Sequence, residues 1–140
     1  MFIKVAGARK KKARRCGFAY EAKNMQGNII FKGVSSCAAE TIPNAIQEAM
    51  VEAVIKARSL GFNQILFLSD SRRSVQVTNK EIAPSWKERT LMADLTHLHK
   101  NGLTYHSVFV SKIVLCNVSY LANLAIRMPI HYSWVNPTFM

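Results

Sequence analysis

The sequence predicts an α/β domain built on a mixed five-stranded sheet with helices on both faces. Three observations point there. The chain opens with three short apolar-rich segments separated by turn residues, continues with a stripe of apolar residues at helical spacing over positions 42–60, and then runs into a compact apolar segment, Ile65 to Leu68, that stops at Ser69-Asp70. Successive short strands pair antiparallel, whereas strand, helix and strand in succession require a crossover and a parallel pairing. A single sheet containing both is mixed. With 140 residues, 49% of them hydrophobic, the chain can bury one core and is too short for two typical domains.

In chain order, Phe2 to Ala6 is expected as the first strand, with Gly7 opening a turn that carries the basic run RKKKARR, Arg9 to Arg15. Cys16 to Lys23 is the second strand, Asn24 to Gly27 a turn, and Asn28 to Val34 the third strand. Ser35 to Glu40 is small and polar, as loops are. Helix signals begin at Thr41, an N-cap residue, with Pro43 near the first helical position. Ile42, Ala45, Ile46, Ala49, Met50, Ala53, Val54, Ala57 and Leu60 mark the inward face, while Asn44, Glu48, Glu52 and Lys56 mark the outward one. Gly61 is placed to end this helix.

Gln64 to Ser69 is then a buried strand, and Asp70 stands at its carboxyl end, where α/β proteins gather loops and build sites. The plainer reading of Asp70 is an N-cap for the helix expected over Ser71 to Asn79. Pro84 marks a break. Lys87 to Lys100 is an amphipathic helix with Leu91, Met92, Leu95 and Leu98 inward. His97 and His99 are two apart, share no helix face, and have no third ligand at metal-site spacing. A strand over 104–110 and a helix from Val118 to Arg127 complete a domain over residues 1–128. Residues 129–140, containing IHYSWVNPTF between Pro129 and Pro137, read as an extended tail.

Composition narrows the function classes. No apolar stretch approaches the ~20 residues of a membrane span. The N-terminus places charge after a very short apolar segment, the reverse of a secretory signal, which favours the nucleus or cytoplasm. Cys16, Cys37 and Cys116 are odd in number, far apart and without CxxC spacing, which argues against a disulfide framework or a zinc site and fits a reducing compartment. A net charge of +11 points to a polyanionic partner. Six of those charges lie in Arg9 to Arg15, leaving +5 on the rest. That run reads equally as a solvated or nuclear-import patch and as a phosphate-contacting loop.

Four stretches carry a family resemblance: IKVAGA at Ile3 to Ala8, GFAYEAKNMQGNII at Gly17 to Ile30, AIQEAMVEAVIKARSLGFNQILFLSDSRRSV at Ala45 to Val75, and LANLA at Leu121 to Ala125. In this order and spacing they resemble the type-1 ribonuclease H domains of plant retroelement-derived proteins, whose order of strands and helices is the one expected above. The resemblance implies a ribonuclease H-like fold and hydrolysis of the RNA strand of RNA–DNA hybrids with two magnesium ions held by four acidic groups. Carried over position by position, those groups fall on Ala6, Ile46, Asp70 and Ser119, and only Asp70 is a carboxylate. Glu48, two residues past Ile46, is rotated about 200° around the helix and is expected to face away. The family's His-Val-Pro-Arg strand end reads Phe109-Val110-Ser111-Lys112.

The expectation is therefore a nucleic-acid-binding domain with impaired hydrolysis, in which Asp70 holds magnesium weakly if at all. Hybrid or duplex contacts are expected from Arg9, Lys10, Lys11, Lys12, Arg14, Arg15, Arg72, Arg73 and Lys112. Two alternatives stay open: an active hybrid ribonuclease with an unconventional metal site, and a domesticated protein-interaction fragment.

Overall fold

In the computed structural model, residues 1–10, 15–39 and 41–140 are described. β1 (Phe2–Lys10), β2 (Arg15–Lys23) and β3 (Ile29–Cys37) form the antiparallel meander, with Ile3 opposite Ala22 and Ala22 opposite Phe31. The β2–β3 turn closes on Asn24, whose side-chain oxygen accepts from the backbone N–H groups of Gln26 and Asn28 at 3.0 Å. Gly27 sits there at φ 84°, where a side chain would be strained. β1 and β2 run on past the expected turn. Arg9, Lys10 and Arg15 are thus strand residues, Lys10 facing Arg15, while Lys11, Lys12 and Arg14 lie outside the described residues.

α1 (Ile42–Ser59) starts as its sequence requires: Thr41 accepts from the backbone N–H of Asn44 at 3.2 Å, and a proline occupies the first turn. It buries Ala45, Ile46, Ala49, Met50, Ala53, Val54 and Ala57, an alanine-rich stripe that lets the helix lie close to the sheet. Ile42, expected inward, is 44% exposed. The helix start meets β1 through its backbone, since the Ile42 carbonyl oxygen would be 3.0 Å from a Cβ on Gly7, and the Ile42 side chain is left outside.

The crossover delivers β4 (Gln64–Ser69) parallel to β1, with Phe2 opposite Leu66 and Lys4 opposite Leu68. α2 (Arg72–Thr78) and α3 (Arg89–Lys100) follow, then β5 (Thr104–Phe109) parallel to β4, then α4 (Cys116–Arg127). The outer edge of β5 is covered at Ser107 by the Asn79 side chain, which donates to its carbonyl and accepts from its N–H, both at 2.8 Å. A single peptide-like amide thus stands in for a neighbouring strand.

Among the described residues the sheet has six strands, not five, in the order β5-β4-β1-β2-β3-β6. The expected extended tail supplies β6 (His131–Val135), antiparallel to β3 from Phe31–Val135 to Ser35–His131. Asn136 anchors its end by donating from its backbone to Ile30 O at 2.8 Å and from its side chain to Ile29 O at 3.1 Å. The free edge of β3 offers unpaired N–H and C=O groups, and a Tyr- and Trp-containing segment bounded by prolines satisfies them. His131, Tyr132 and Ser133 are all exposed, so this strand shows no alternation from which it could be recognised.

Two cores sandwich the sheet. On the α1 face, Ile3, Val5, Tyr20, Phe31, Ile46, Met50 and Phe67 pack with Leu95 and Leu103. On the α4 face, Ala6, Ala8, Ala19 and Val34 pack with Leu115, Val118, Ala122, Ala125 and Ile126. Small residues on β1 and β2 let α4 come close, most of all Gly17, where a Cβ would collide with the Ala122 carbonyl oxygen and lie 2.8 Å from Ala125 Cβ. Gly17→Ala is therefore expected to cost about 1–3 kcal/mol as a lower urea midpoint at unchanged slope. Asn123→Ala, on the exposed side of the same helix, should stay within about 0.5 kcal/mol.

Candidate functional site

Asp70 follows β4 directly. Because Lys4 faces Leu68 in parallel register, two residues further on Ala6 and Asp70 stand at the same level of neighbouring central strands. The N-cap of α2 is Ser71, whose hydroxyl accepts from the backbone N–H of Ser74 at 3.2 Å, while the buried Ser69 hydroxyl accepts from Ser71 N–H at 3.1 Å. Capping is done by its neighbour, so the plainer reading of Asp70 does not hold. Among the described residues no hydrogen bond or ion pair engages the half-buried Asp70 carboxylate.

The other three positions gather around β1. Ile46 is fully buried in the α1-side core, and a Cβ on Gly7 would be 3.1 Å from its Cγ1, which places it against the residue next to Ala6. Ala6, 2% exposed, packs in the α4-side core with Val118 and Ala122. Ser119 is half-buried in the first turns of α4, one residue past Val118. Where the resemblance expects carboxylates, two apolar side chains are sealed in opposite cores and a hydroxyl stands at the third position.

This donor set does not fit two magnesium ions, which demand several oxygen ligands and opposing charge. Among the described residues no group of three or more His, Cys, Asp or Glu side chains is poised to hold a metal. Glu48 does not supply the missing charge. It is exposed on the far side of α1, beside Ala38 and Ala39.

Glu21 on β2 is the acid that sequence reasoning passed over. Its side chain is buried, with Asn117 Nδ2 donating to Oε2 at 3.1 Å and Lys23 Nζ 3.6 Å from Oε1. It faces Lys4 on one side and Lys32 on the other, a ladder of opposite charge across three strands. In sequence it is only the polar member of an alternating strand.

Cationic groups collect at the same end of the sheet. Lys10 lies four residues past Ala6, so the β1–β2 hairpin projects about 13 Å beyond the level of Asp70. Arg9, Lys10 and Arg15 are exposed there. Arg72, at the start of α2, lies 4.8 Å over the ring of Phe109, itself 45% exposed, and exposed Lys112 follows in the β5–α4 turn beside exposed Ile113 and Val114. Arg73 differs from these. Its Nε and Nη2 donate to the two Glu88 oxygens at 3.1 and 2.5 Å, and the Ser85 N–H donates to Glu88 Oε1 at 2.8 Å.

Burial alone would raise the Glu88 carboxyl pKa, but the hydrogen bonds from Arg73 and Ser85 outweigh it and hold the carboxyl below the usual carboxylate range. A carboxyl whose pKa is depressed on folding adds stability that is complete above its unfolded pKa and is lost as pH falls through the folded value. Urea unfolding followed from neutral pH downward should show this loss below about pH 4.5. In Glu88→Gln the unmodified chain's excess stability at neutral pH should be missing, and the acid-side slope should be shallower.

The sequence matches no protein-family model and no curated protein. Solved structures do match the backbone. Ribonuclease H1 from the halophilic archaeon Halobacterium salinarum superposes with a TM-score of 0.79 at 17% identity, covering 90% of this chain and 96% of that one. LC11 ribonuclease H1, solved in complex with an RNA/DNA hybrid, gives 0.80 at 15% identity, covering 90% and 96%. The prototype foamy virus protease–reverse transcriptase gives 0.69 at 12% identity, covering 92% of this chain and 21% of that one. On these likenesses, this chain has the ribonuclease H fold.

Proposed function

We propose that this domain binds nucleic-acid duplexes, RNA–DNA hybrids foremost, through the basic end of its sheet, and that it does not carry out the two-metal hydrolysis associated with its fold. The observation that carries the reading is the conjunction at β1. Apolar packing fills two of the positions where metal-holding carboxylates are expected, while Arg72, Lys112 and the Arg9–Lys10–Arg15 hairpin surround the same strand ends. A neighbour in fold solved with an RNA/DNA hybrid supports the ligand class. The order and spacing of the four motifs support descent from a plant-type retroelement domain.

The chemistry follows from these side chains. Phosphates are attracted by the projecting hairpin and by Arg72, whose guanidinium is held over Phe109. Arg73, bound to Glu88, contributes mainly to holding α2 against the segment before α3. Asp70 opposes phosphate approach with one negative charge, so Asp70→Asn is expected to tighten binding slightly.

The test is binding across a salt series. Replacing Lys10, Lys11, Lys12 and Arg14 by Ala should weaken binding to all base sequences alike and flatten the log–log salt slope by about 0.9 for each phosphate no longer neutralised. Base sequence should matter little, because an A-form-like hybrid is recognised by shape and backbone. Arg72→Ala should add to the loss, whereas Arg73→Ala should act on stability more than on the slope. Unchanged affinity and slope in the quadruple variant would refute the binding role. The protein-interaction reading would then stand on the apolar groove between α1 and α3, lined by Val51, Val54, Ile55, Leu91, Leu95 and Leu98.

A further inference from the structure

Cys16 and Cys37 are distant in sequence, yet they are direct register partners on β2 and β3. Both side chains lie on the α1 face, Cys16 fully buried in that core and Cys37 partly buried against it. Facing residues of an antiparallel pair have Cα atoms about 4.5–5.5 Å apart, inside the span of about 4.4–6.8 Å that disulfides occupy. Cys16 Sγ donates to the Ala39 carbonyl, two residues past Cys37, at 2.8 Å. Cys116 is exposed on α4, which packs on the opposite face of the sheet, and is excluded from the pair.

We propose that Cys16 and Cys37 form a thiol–disulfide site, which a small-molecule disulfide converts into a cross-strand bond. Cys37 is the entry point because it is the accessible member. Its thiolate attacks one sulfur of the small disulfide, forming a mixed disulfide and releasing one small thiolate. Cys16, after giving up its proton, attacks Cys37 Sγ and releases the second small thiol. Two protein thiols lose two protons and two electrons, and the small disulfide is reduced to two thiols. Burial, the Glu48 carboxylate and Cys16 push the Cys37 thiol up to about 12, so the first step is slow at neutral pH. The product ties β3 to β2 at the foot of the basic hairpin, one residue from Arg15.

The experiment uses the full chain with Cys116→Ser, incubated with glutathione disulfide, alkylated and mapped without reduction. The expected result is a link between the peptides holding Cys16 and Cys37, with the protein mass lower by two hydrogens. The thermal midpoint should rise by about 5–10 °C, and dithiothreitol should reverse all three changes. In the same background Cys16→Ser should stop at a stable Cys37–glutathione adduct, and Cys37→Ser should leave Cys16 unmodified, with circular dichroism confirming that each variant is folded. Recovery of both thiols unmodified, or a Cys37 adduct that Cys16 fails to resolve, would overturn the proposal.

Discussion

The double pairing of β1, parallel to β4 on one side and antiparallel to β2 on the other, is the constraint on which the rest of the structure depends. The parallel side brings the strand end at Asp70 to the level of Ala6. The antiparallel side carries the basic hairpin past that level. Each face of β1 then takes one helix at close range: α1 rests over Gly7 and α4 over the β1–β2 pair at Gly17. Residues far apart in sequence converge because one strand is the neighbour of all of them.

The same convergence sets Ala6, Ile46 and Asp70 around one strand. Carboxylates clustered in low-dielectric surroundings repel one another unless a cation offsets them. Ala6 and Ile46 each join the core on their own face of the sheet, and of the four positions Asp70 carries the one carboxylate. The surrounding cations are then opposed by little negative charge, which suits a surface for phosphates.

Much of this was legible in the sequence because local chemistry agreed with the global fold. Thr41, Pro43 and Gly61 bounded α1, its alanine stripe gave the buried face, and the apolar run ending at Asp70 fixed β4 and the crossover. The misses other than the cap of α2 share one cause, pairing between segments that carry no mark of it. β6 is an exposed edge strand held by backbone hydrogen bonds that any sequence can make, Cys16 and Cys37 meet only through the β2–β3 register, and Ser71 rather than Asp70 takes the cap by a one-residue difference in where α2 begins. The Arg73–Glu88 pair and the buried Glu21 were hidden likewise, because their partners come from other elements.

The central claim is that the positions around β1 hold no competent metal site, and the most direct measurement is cleavage of a labelled RNA–DNA hybrid by the unmodified chain in magnesium and in manganese, at protein concentrations that saturate binding. The account predicts no metal-dependent product above that of Asp70→Asn under the same conditions. Sustained magnesium-dependent cleavage that Asp70→Asn abolishes would contradict it, and would mean that carboxylates placed elsewhere in the sequence reach the ions.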